Sequence, residues 1–475
     1  MQPFTERLKQ AARQLEARRV GILANQTAYD LQTGQYSFQA LASSANYLRV
    51  FLPEHGLFAE LQDQVGLEDT RTYAACLSSE DRQKTDFLSL YGNSEGTLKP
   101  AASLLSDLDL LVVDLQDVGS RYYTFLTTLY YCLEVVRDIR SATSDPRLQC
   151  LVVDRSNPIG RLIEGTPLDA DYASFVGLPG IIHRHGLSAG EMARFFARGL
   201  ALDAEALVIL DEKDSNPEDP ASGKGWAAES AAGKTPRQRY GHGTAGARAA
   251  TADATRRENG MASFPVYPSP NMPTVQTAEV YPGQCLLEGT NLSEGRGTTR
   301  PFLIFGAPFL GSLPFNSSLF LPGLRLRPLR FLPTFHKHAG QICEGFELHV
   351  LTEDYDRRDP YDRQSTEANG LYAPLFCTLR LLRWIRANCP DFAWKTGVYE
   401  FRSDRPAIEL LAGDPLLLEY LRNSPAPLED RLDDFDLALL QHMASRESQW
   451  LQETGFLWES SPLRSSSARL LERFA

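Results

Sequence analysis

The stretch SDLDLLVVDLQDVGSRYYTF, residues 106–125, contains the transition that decides the fold. Its apolar run at 108–113 is typical of a buried strand. Polar residues follow at Asp114, Gln116 and Asp117, and Gly119 then permits a turn into an apolar helix. A strand with a polar end that leads into a helix is the repeating unit of an α/β protein.

The same unit recurs along the N-terminal half of the chain. Further strands are predicted within 17–26, 46–56, 147–160 and 206–210, and a helix at 187–200 begins with the capping-box pair Ser188 and Glu191. Strands that alternate with helices and are apolar almost throughout indicate a mostly parallel sheet buried on both faces. The predicted fold class is therefore α/β.

Polar side chains follow four of these strands. They are Asn25-Gln26, Glu54-His55, the Asp114 to Asp117 cluster and Asp154-Arg155. In open α/β sheets, ligands bind outside the carboxyl ends of the strands, which places a candidate site here. The glycine-rich phosphate fingerprint is missing after the first strand, where the sequence is LANQTAYD. Nicotinamide, flavin and P-loop nucleotide cofactors are therefore not expected.

Composition limits the classes of function. The chain has 475 residues, 43% of them hydrophobic and 23% charged, which is typical of a globular protein with about two to four domains. A net charge of −12 argues against general nucleic-acid binding. No apolar run is long enough to span a membrane. The seven cysteines are scattered and form no CxxC pair, which argues against a disulfide framework or a structural zinc site.

Three segments are predicted. The sheet domain occupies 1–211, and an insertion at 212–262, rich in Ala, Gly, Ser and charge, reads as a flexible low-complexity segment. A C-terminal α/β or α+β domain occupies 263–475, with a strand at 346–352 and helices at 371–389 and 428–451. The proline-rich loop 264–275 is expected to be rigid and to present Asn271.

A second polar stretch lies in the C-terminal segment. EGTNLSEGRGTTRPF, residues 288–302, contains the carboxylates Glu288 and Glu294 and the guanidiniums of Arg296 and Arg300. Such a loop suits a polar, oxygen-rich ligand, with an arginine available for a bidentate contact to a carboxylate or phosphate. The alternative is a polar surface loop held by its own ion pairs.

Paired carboxylates among Asn, Gln, Thr, Tyr and Arg side chains favour a sugar site, in which one carboxyl protonates the leaving oxygen and another activates water or attacks C1. The sequence has no G-x-S-x-G and no H-E-x-x-H, so neither a hydrolase serine nor a zinc protease is supported, and no metal site is predicted. Two residues keep structural alternatives: Asp114 as an acid that binds nearby backbone N–H groups, and His185 as a brace for the loop before the Ser188 helix.

Six motifs in order carry a resemblance to a known family. They are LPEHGLFAE (52–60), DLQDVGSRYYTF (114–125), VVDRSNPIG (152–160), RHGLSAGE (184–191), YPSPNMPT (267–274) and EGTNLSEGRGTTRPF (288–302). Together they resemble the NamZ-type exo-β-N-acetylmuramidases, over nearly the whole chain outside the insertion. One departure is DRSNP, where DRPNP is common in the family.

The resemblance implies a Rossmann-like N-terminal domain, a smaller C-terminal domain and an active-site cleft between them. It also implies removal of N-acetylmuramic acid from the non-reducing end of peptidoglycan fragments. Glu54 is the first candidate for the general acid, Glu294 the second, and Glu288 and Asp117 are in reserve. The acetamido group of the substrate could also replace a protein nucleophile.

Arg296 or Arg300 is expected to hold the lactyl carboxylate that distinguishes muramic acid from glucosamine. The other substrate-binding candidates are polar residues of the six motifs: Asn25, His55, Gln116, Arg121, Tyr122, Arg155, Asn157, His185, Asn271, Asn291 and Thr298.

Some alternatives remain open at this stage. A non-catalytic peptidoglycan-binding protein would keep the Asn, Arg and Thr side chains that bind the ligand and would not use the carboxylates for catalysis. The oligomeric state is either monomer or homodimer. Family members are commonly exported, whereas this N-terminus shows no export signal. The expected location is therefore the cytoplasm, or the periplasm or exterior if the natural start lies upstream.

Overall fold

The structure is a computed structural model that describes residues 2–61, 71–90, 98–143, 147–212, 264–312, 319–351, 371–455 and 463–474. The strands are β1 Arg19–Ala24, β2 Tyr29–Asp30, β3 Gln35–Tyr36, β4 Tyr47–Leu52, β5 Thr85–Ser89, β6 Leu110–Asp114, β7 Gln149–Asp154, β8 Leu162–Pro167, β9 Ile182–Arg184, β10 Leu207–Asp211, β11 Ile304–Ala307, β12 Leu324–Phe331, β13 Cys343–Val350 and β14 Arg464–Ser465.

The α-helices are α1 Phe4–Gln14, α2 Ser37–Ala42, α3 Ser79–Gln83, α4 Phe125–Ser141, α5 Ala189–Gly199, α6 Val275–Gln284, α7 Pro374–Asn388, α8 Ala407–Ala412, α9 Pro415–Asn423, α10 Asp434–Thr454 and α11 Ser466–Phe474. No helix of the described ranges is long and apolar enough to cross a membrane.

Six parallel strands form the main sheet, in the order β10-β7-β6-β1-β4-β5. Counted along the chain, this is the Rossmann strand order, which reverses direction between β1 and β6. The predicted Rossmann-like, mostly parallel sheet is confirmed. The edge strand β5 was not predicted from the sequence, because its segment TDFLS has only two large apolar residues.

Alternate side chains of each strand enter two cores, which explains why the strands are apolar almost throughout. Ile22 and Val112 pack with α1 and α2 on one face. Leu23 and Val113 pack with α4 and α5 on the other. At Gly21 a Cβ atom would lie 2.7 Å from Leu108 Cδ1, so the central strand needs a glycine at this close approach.

The smaller C-terminal part combines helices with an antiparallel sheet in the order β11-β13-β12. Its central helix, α7, is buried along most of its length, and Phe376 and Leu379 belong to the same apolar core as Val113 of the main sheet. The predicted strand at 346–352 and the helices at 371–389 and 428–451 correspond to β13, α7 and α10. The boundaries proposed at 211 and 263 stay predictions, and the predicted insertion lies outside the described residues from position 213 onward.

Buried carboxylates join the two parts. Glu164 on β8 accepts hydrogen bonds from the N–H groups of Leu375 (3.1 Å) and Phe376 (2.8 Å), so it caps the start of α7. Glu447 on α10 accepts from Gly165 N at 3.0 Å and from Ser467 N at 3.2 Å. Burial raises the pKa of Glu164 to about 7 and that of Glu447 to about 8, although these hydrogen bonds act in the opposite direction.

These raised pKa values predict the pH dependence of stability. In the unfolded chain both carboxyls titrate near their ordinary value of 4.5, so between this pH and the native pKa values the native state binds more protons than the unfolded state. Their stabilising effect is complete below pH 4.5 and is lost as the pH rises through 7 to 8. We expect urea unfolding to show a free energy that falls across this window, and Glu447→Gln to reduce the slope. Equal slopes for the two proteins would contradict this assignment.

Candidate active site

A pocket lies between the carboxyl edge of the main sheet and the C-terminal part. It contains a cavity of about 40 Å³ within a larger concavity of about 520 Å³ that includes open solvent. Six segments supply its walls: the end of β4, the β6–α4 connection, the β8–β9 connection at Val176, the proline-rich loop, the α6 region with the 288–302 loop, and the turn at 399–400.

Glu54 enters the pocket directly after β4. The Thr124 hydroxyl donates a 2.8 Å hydrogen bond to its Oε2 atom. Its Oε1 atom is buried and has no hydrogen-bond partner within the described part of the chain. One oxygen is thus fixed by the protein, and the other is left for a ligand in the pocket.

His55, the next residue, has a φ of 75°, which is rare for a residue with a side chain. Its Nδ1 atom lies 3.0 Å from the carbonyl oxygen of Leu61. This contact fixes the ring orientation at the wall of the pocket. The chain leaves β4 in a conformation that turns both Glu54 and His55 towards the site.

Glu288 and Arg296 form an ion pair in the opposite wall. Arg296 Nη2 donates to Glu288 Oε1 at 2.7 Å, and the Tyr399 hydroxyl donates to Glu288 Oε2 at 2.6 Å. The guanidinium of Arg296 also lies over the Phe302 ring, 5.2 Å from its centre. Both Glu288 oxygens are therefore engaged by protein groups.

Glu294 is fully buried and does not line the pocket. Lys337 Nζ and His336 Nδ1 each lie 2.9 Å from its carboxylate, and Arg296 Nε lies 3.4 Å away. Burial alone would raise the pKa of Glu294, but Lys337, His336 and Arg296 hold it well below its ordinary value. The described contacts make Glu294 the anionic centre that orders the SEGRG loop.

Asp117, in the β6–α4 connection, and His185, between β9 and α5, do not line the pocket. Asp117 Oδ2 accepts from Gly119 N at 2.7 Å and is 3.1 Å from His185 Nε2. His185 Nδ1 also accepts the N–H of Leu187 at 3.1 Å. The alternative role of His185 as a brace for the loop before α5 agrees with this contact.

Two further candidates line the pocket. Asn271 is buried in its wall, on the proline-rich loop. Tyr122 presents its ring, and its hydroxyl donates to the carbonyl oxygen of Leu411 at 3.1 Å. The structure thus brings six sequence candidates together: Glu54, His55, Tyr122, Asn271, Glu288 and Arg296.

Four candidates at the strand ends make contacts that brace neighbouring loops, and none of them lines the pocket. Asn25 donates to the Pro268 carbonyl at 3.2 Å, and Gln116 donates to the Ser156 carbonyl at 3.1 Å. Arg155 forms ion pairs with Asp114 at 2.8 Å and Glu212 at 2.6 Å. Asn157 donates to the Leu187 carbonyl at 3.1 Å. Asp114, paired with Arg155 and Ser37, is structural, although its partners are side chains and not backbone groups.

The four remaining candidates also lie outside the pocket lining. Arg121 donates to the carbonyls of Thr166 and Ala412 at 3.0 Å, Asn291 to that of Asp391 at 2.8 Å, and Thr298 to that of Gly295 at 2.6 Å. Arg300 is half exposed and pairs with Glu347 at 2.7 Å. These contacts stabilise the framework around the pocket.

The sequence analysis missed several lining residues. Tyr123 and Thr124 belong to a quoted motif, but only their contacts with the pocket distinguish them from helix residues. Tyr281, Tyr399 and Glu400 had no sequence signal, since they lie in segments without a polar cluster after a strand. Within the described ranges, no group of three or more His, Cys, Asp or Glu side chains is arranged to hold a metal ion.

Two solved structures share the fold. Both are DUF1343 family proteins from Bacteroides fragilis NCTC 9343, each 20% identical to this chain. One has a TM-score of 0.62 and covers 96% of this chain and 98% of its own. The other has a TM-score of 0.59, with 97% and 99% covered. At this level of identity the likeness concerns the fold.

Sequence comparison gives the family. The N-terminal model of exo-β-N-acetylmuramidase NamZ matches residues 20–231, and the C-terminal model matches 279–449. A peptidoglycan β-N-acetylmuramidase NamZ of Bacillus subtilis (strain 168) is 34% identical over 357 residues, which are 72% of this chain and 70% of the relative. The chain belongs to the NamZ family of exo-β-N-acetylmuramidases.

Proposed function

We propose that this glycoside hydrolase releases N-acetylmuramic acid from the non-reducing end of peptidoglycan-derived saccharides of the MurNAc-GlcNAc type. Family membership supports the reaction class. The observation that carries the proposal in this chain is Glu54, whose Oε1 atom is buried in the pocket without a protein partner. A carboxyl group held in this way suits proton transfer to a bound sugar.

Glu54 acts as the general acid in this proposal. Its proton passes to the glycosidic oxygen as the bond from that oxygen to C1 breaks. The Thr124 hydroxyl fixes Oε2, so that Oε1 presents its proton in one direction. Glu294 is less suitable because it does not line the pocket, and Glu288 is less suitable because Arg296 and the Tyr399 hydroxyl already bind its two oxygens.

Arg296 is the residue that we assign to the lactyl carboxylate of muramic acid. It is the one arginine or lysine among the described residues that line the pocket. Its planar guanidinium suits a carboxylate, and stacking on Phe302 fixes the plane. Arg300, the other candidate, pairs with Glu347 outside the lining and is half exposed.

Turnover of a chromogenic β-N-acetylmuraminide and of the matching β-N-acetylglucosaminide tests the function. We expect release from the muraminide, and a loss of roughly 10²- to 10⁴-fold in kcat for Glu54→Gln, the usual contribution of a general acid. Glu60→Gln is the matched control, because Glu60 lies on the same loop but outside the pocket lining. It should keep the activity of the wild type.

Absence of release from both glycosides, with a muropeptide still bound, would identify a non-catalytic binding protein. A Glu54→Gln variant as active as the wild type would instead leave the enzyme in place and remove Glu54 from the chemistry.

Substitution of each arginine by lysine tests the assignment to Arg296. A lysine keeps the positive charge but loses the two-point contact, for which a loss of about 1.5–3 kcal/mol, or roughly 10- to 100-fold in kcat/KM for the muraminide, is the usual scale. Arg300→Lys should leave this value unchanged. The measurement is kcat/KM for both variants, and an equal effect of the two substitutions would contradict the assignment.

A further inference from the structure

Three carboxylates line the pocket, those of Glu54, Glu288 and Glu400. Glu54 accepts a hydrogen bond from the Thr124 hydroxyl on one oxygen, and its other oxygen is buried without a hydrogen-bond partner among the described residues. Both oxygens of Glu288 are bound, one by Arg296 and one by the Tyr399 hydroxyl. The third carboxylate, Glu400, is 8% exposed. Glycoside hydrolysis ordinarily needs an acid and a second group that assists attack on C1, so the role of Glu400 matters.

Glu400 occupies a tight two-residue hairpin turn. Tyr399 and Arg402 exchange both backbone hydrogen bonds, Tyr399 N to Arg402 O at 2.8 Å and the reverse at 2.9 Å. Between them, Glu400 and Phe401 have φ values of 45° and 66°. Positive φ at both central residues defines the turn type that favours Asn-Gly, so a glutamate followed by a phenylalanine is a poor choice for turn stability.

Neighbouring contacts hold this strained turn in place. The Tyr399 hydroxyl is bound to Glu288, and Arg402 Nη1 donates to the carbonyl oxygen of Ala173. Asp404 braces the same guanidinium through Arg402 Nε at 2.7 Å. The turn is therefore fixed both to the pocket wall and to the segment before β9. Strain that surrounding structure maintains in this way is typical of functional positions.

We propose that Glu400 is the second reacting carboxylate of the pocket, and that it accepts a proton from the group that attacks C1. The inference rests on the proposed muramidase function. Glu54 gives its proton to the glycosidic oxygen as the bond to C1 breaks, while an oxygen of the attacking group forms the new bond to C1 and that group gives a proton to Glu400. One bond forms, one breaks, and each proton has a donor and an acceptor.

Two different groups are able to attack C1 and give a proton to Glu400. Water attacks directly, loses an O–H proton to Glu400 and gives an inverted sugar. The 2-acetamido group of the substrate attacks through its carbonyl oxygen, loses its N–H proton to Glu400 and forms an oxazoline, which water then opens to a sugar with retained configuration. Proton acceptance by Glu400 is common to both, and proton NMR of the first-formed anomer distinguishes them.

Two substitutions separate a reacting carboxylate from a turn residue. Glu400→Gln keeps the size of the side chain and removes the proton acceptor. Glu400→Asn places a turn-compatible residue at positive φ, so it should preserve or raise the melting temperature. We expect both variants to lose at least 100-fold in kcat/KM for the muraminide while folding normally. Phe401→Gly, which relaxes the turn and keeps the carboxylate, should retain activity within a few-fold.

Leaving-group dependence then distinguishes the roles of the two glutamates. An aryl muraminide with a very acidic phenol needs no proton at the leaving oxygen, so the kcat/KM deficit of Glu54→Gln should shrink at least 10-fold relative to a poor leaving group. The deficit of Glu400→Gln should stay the same, because assistance to the attacking group is needed with every leaving group.

Each outcome decides one point. If the wild type hydrolyses the muraminide and either Glu400 variant folds with near-normal kcat/KM, the inference is wrong and the proposed function stands. If the Glu400→Gln deficit shrinks in parallel with that of Glu54→Gln, Glu400 serves the leaving group and the inference is again wrong. If the wild type has no turnover, the proposed function itself fails.

Discussion

The pocket depends on the position of one buried cation, Arg121. Its guanidinium donates to the carbonyl of Thr166 on β8 and to those of Leu411 and Ala412 at the end of α8. It also contacts His183. Burial and the positive charge of Arg121 both lower the pKa of His183 well below its ordinary value, so its ring is neutral. A positive charge at the carbonyl end of a helix is favourable. Here that charge binds the end of α8, in the C-terminal part, to the β6–α4 connection of the main sheet.

This contact has a direct consequence for the site, because Arg121 immediately precedes the pocket wall. Tyr122 binds the same Leu411 carbonyl, and Thr124, two residues later, fixes Glu54. The acid therefore projects from the end of β4, while its orientation is set by a segment anchored to the C-terminal part. The two parts of the chain share one apolar core, so this geometry is supported on both sides of the pocket.

Much of this could be predicted from sequence, and the exceptions have physical causes. Short apolar strands that alternate with helices predicted the parallel sheet. The family resemblance made Glu54 the first candidate for the general acid, and Glu54 also satisfies the rule that ligand-binding residues follow such strands. The same rule selected Asn25, Arg155 and Asn157, which instead brace loops, since hydrogen-bond partners from distant segments are not visible in a linear pattern. Glu400 was not predicted from the sequence, because its proposed role depends on a turn conformation that a glutamate does not favour.

Three residues in the walls of the pocket have strained backbone conformations. His55, Phe302 and Glu400 all line it and all have positive φ, at 75°, 60° and 45°. Each such position costs on the order of 1–3 kcal/mol and persists only where surrounding contacts fix it. Those contacts are present at Glu288, Arg296 and the Arg121 junction. The free energy of the core contacts and ion pairs offsets this strain, so three wall positions of the pocket keep backbone conformations that residues with side chains rarely adopt.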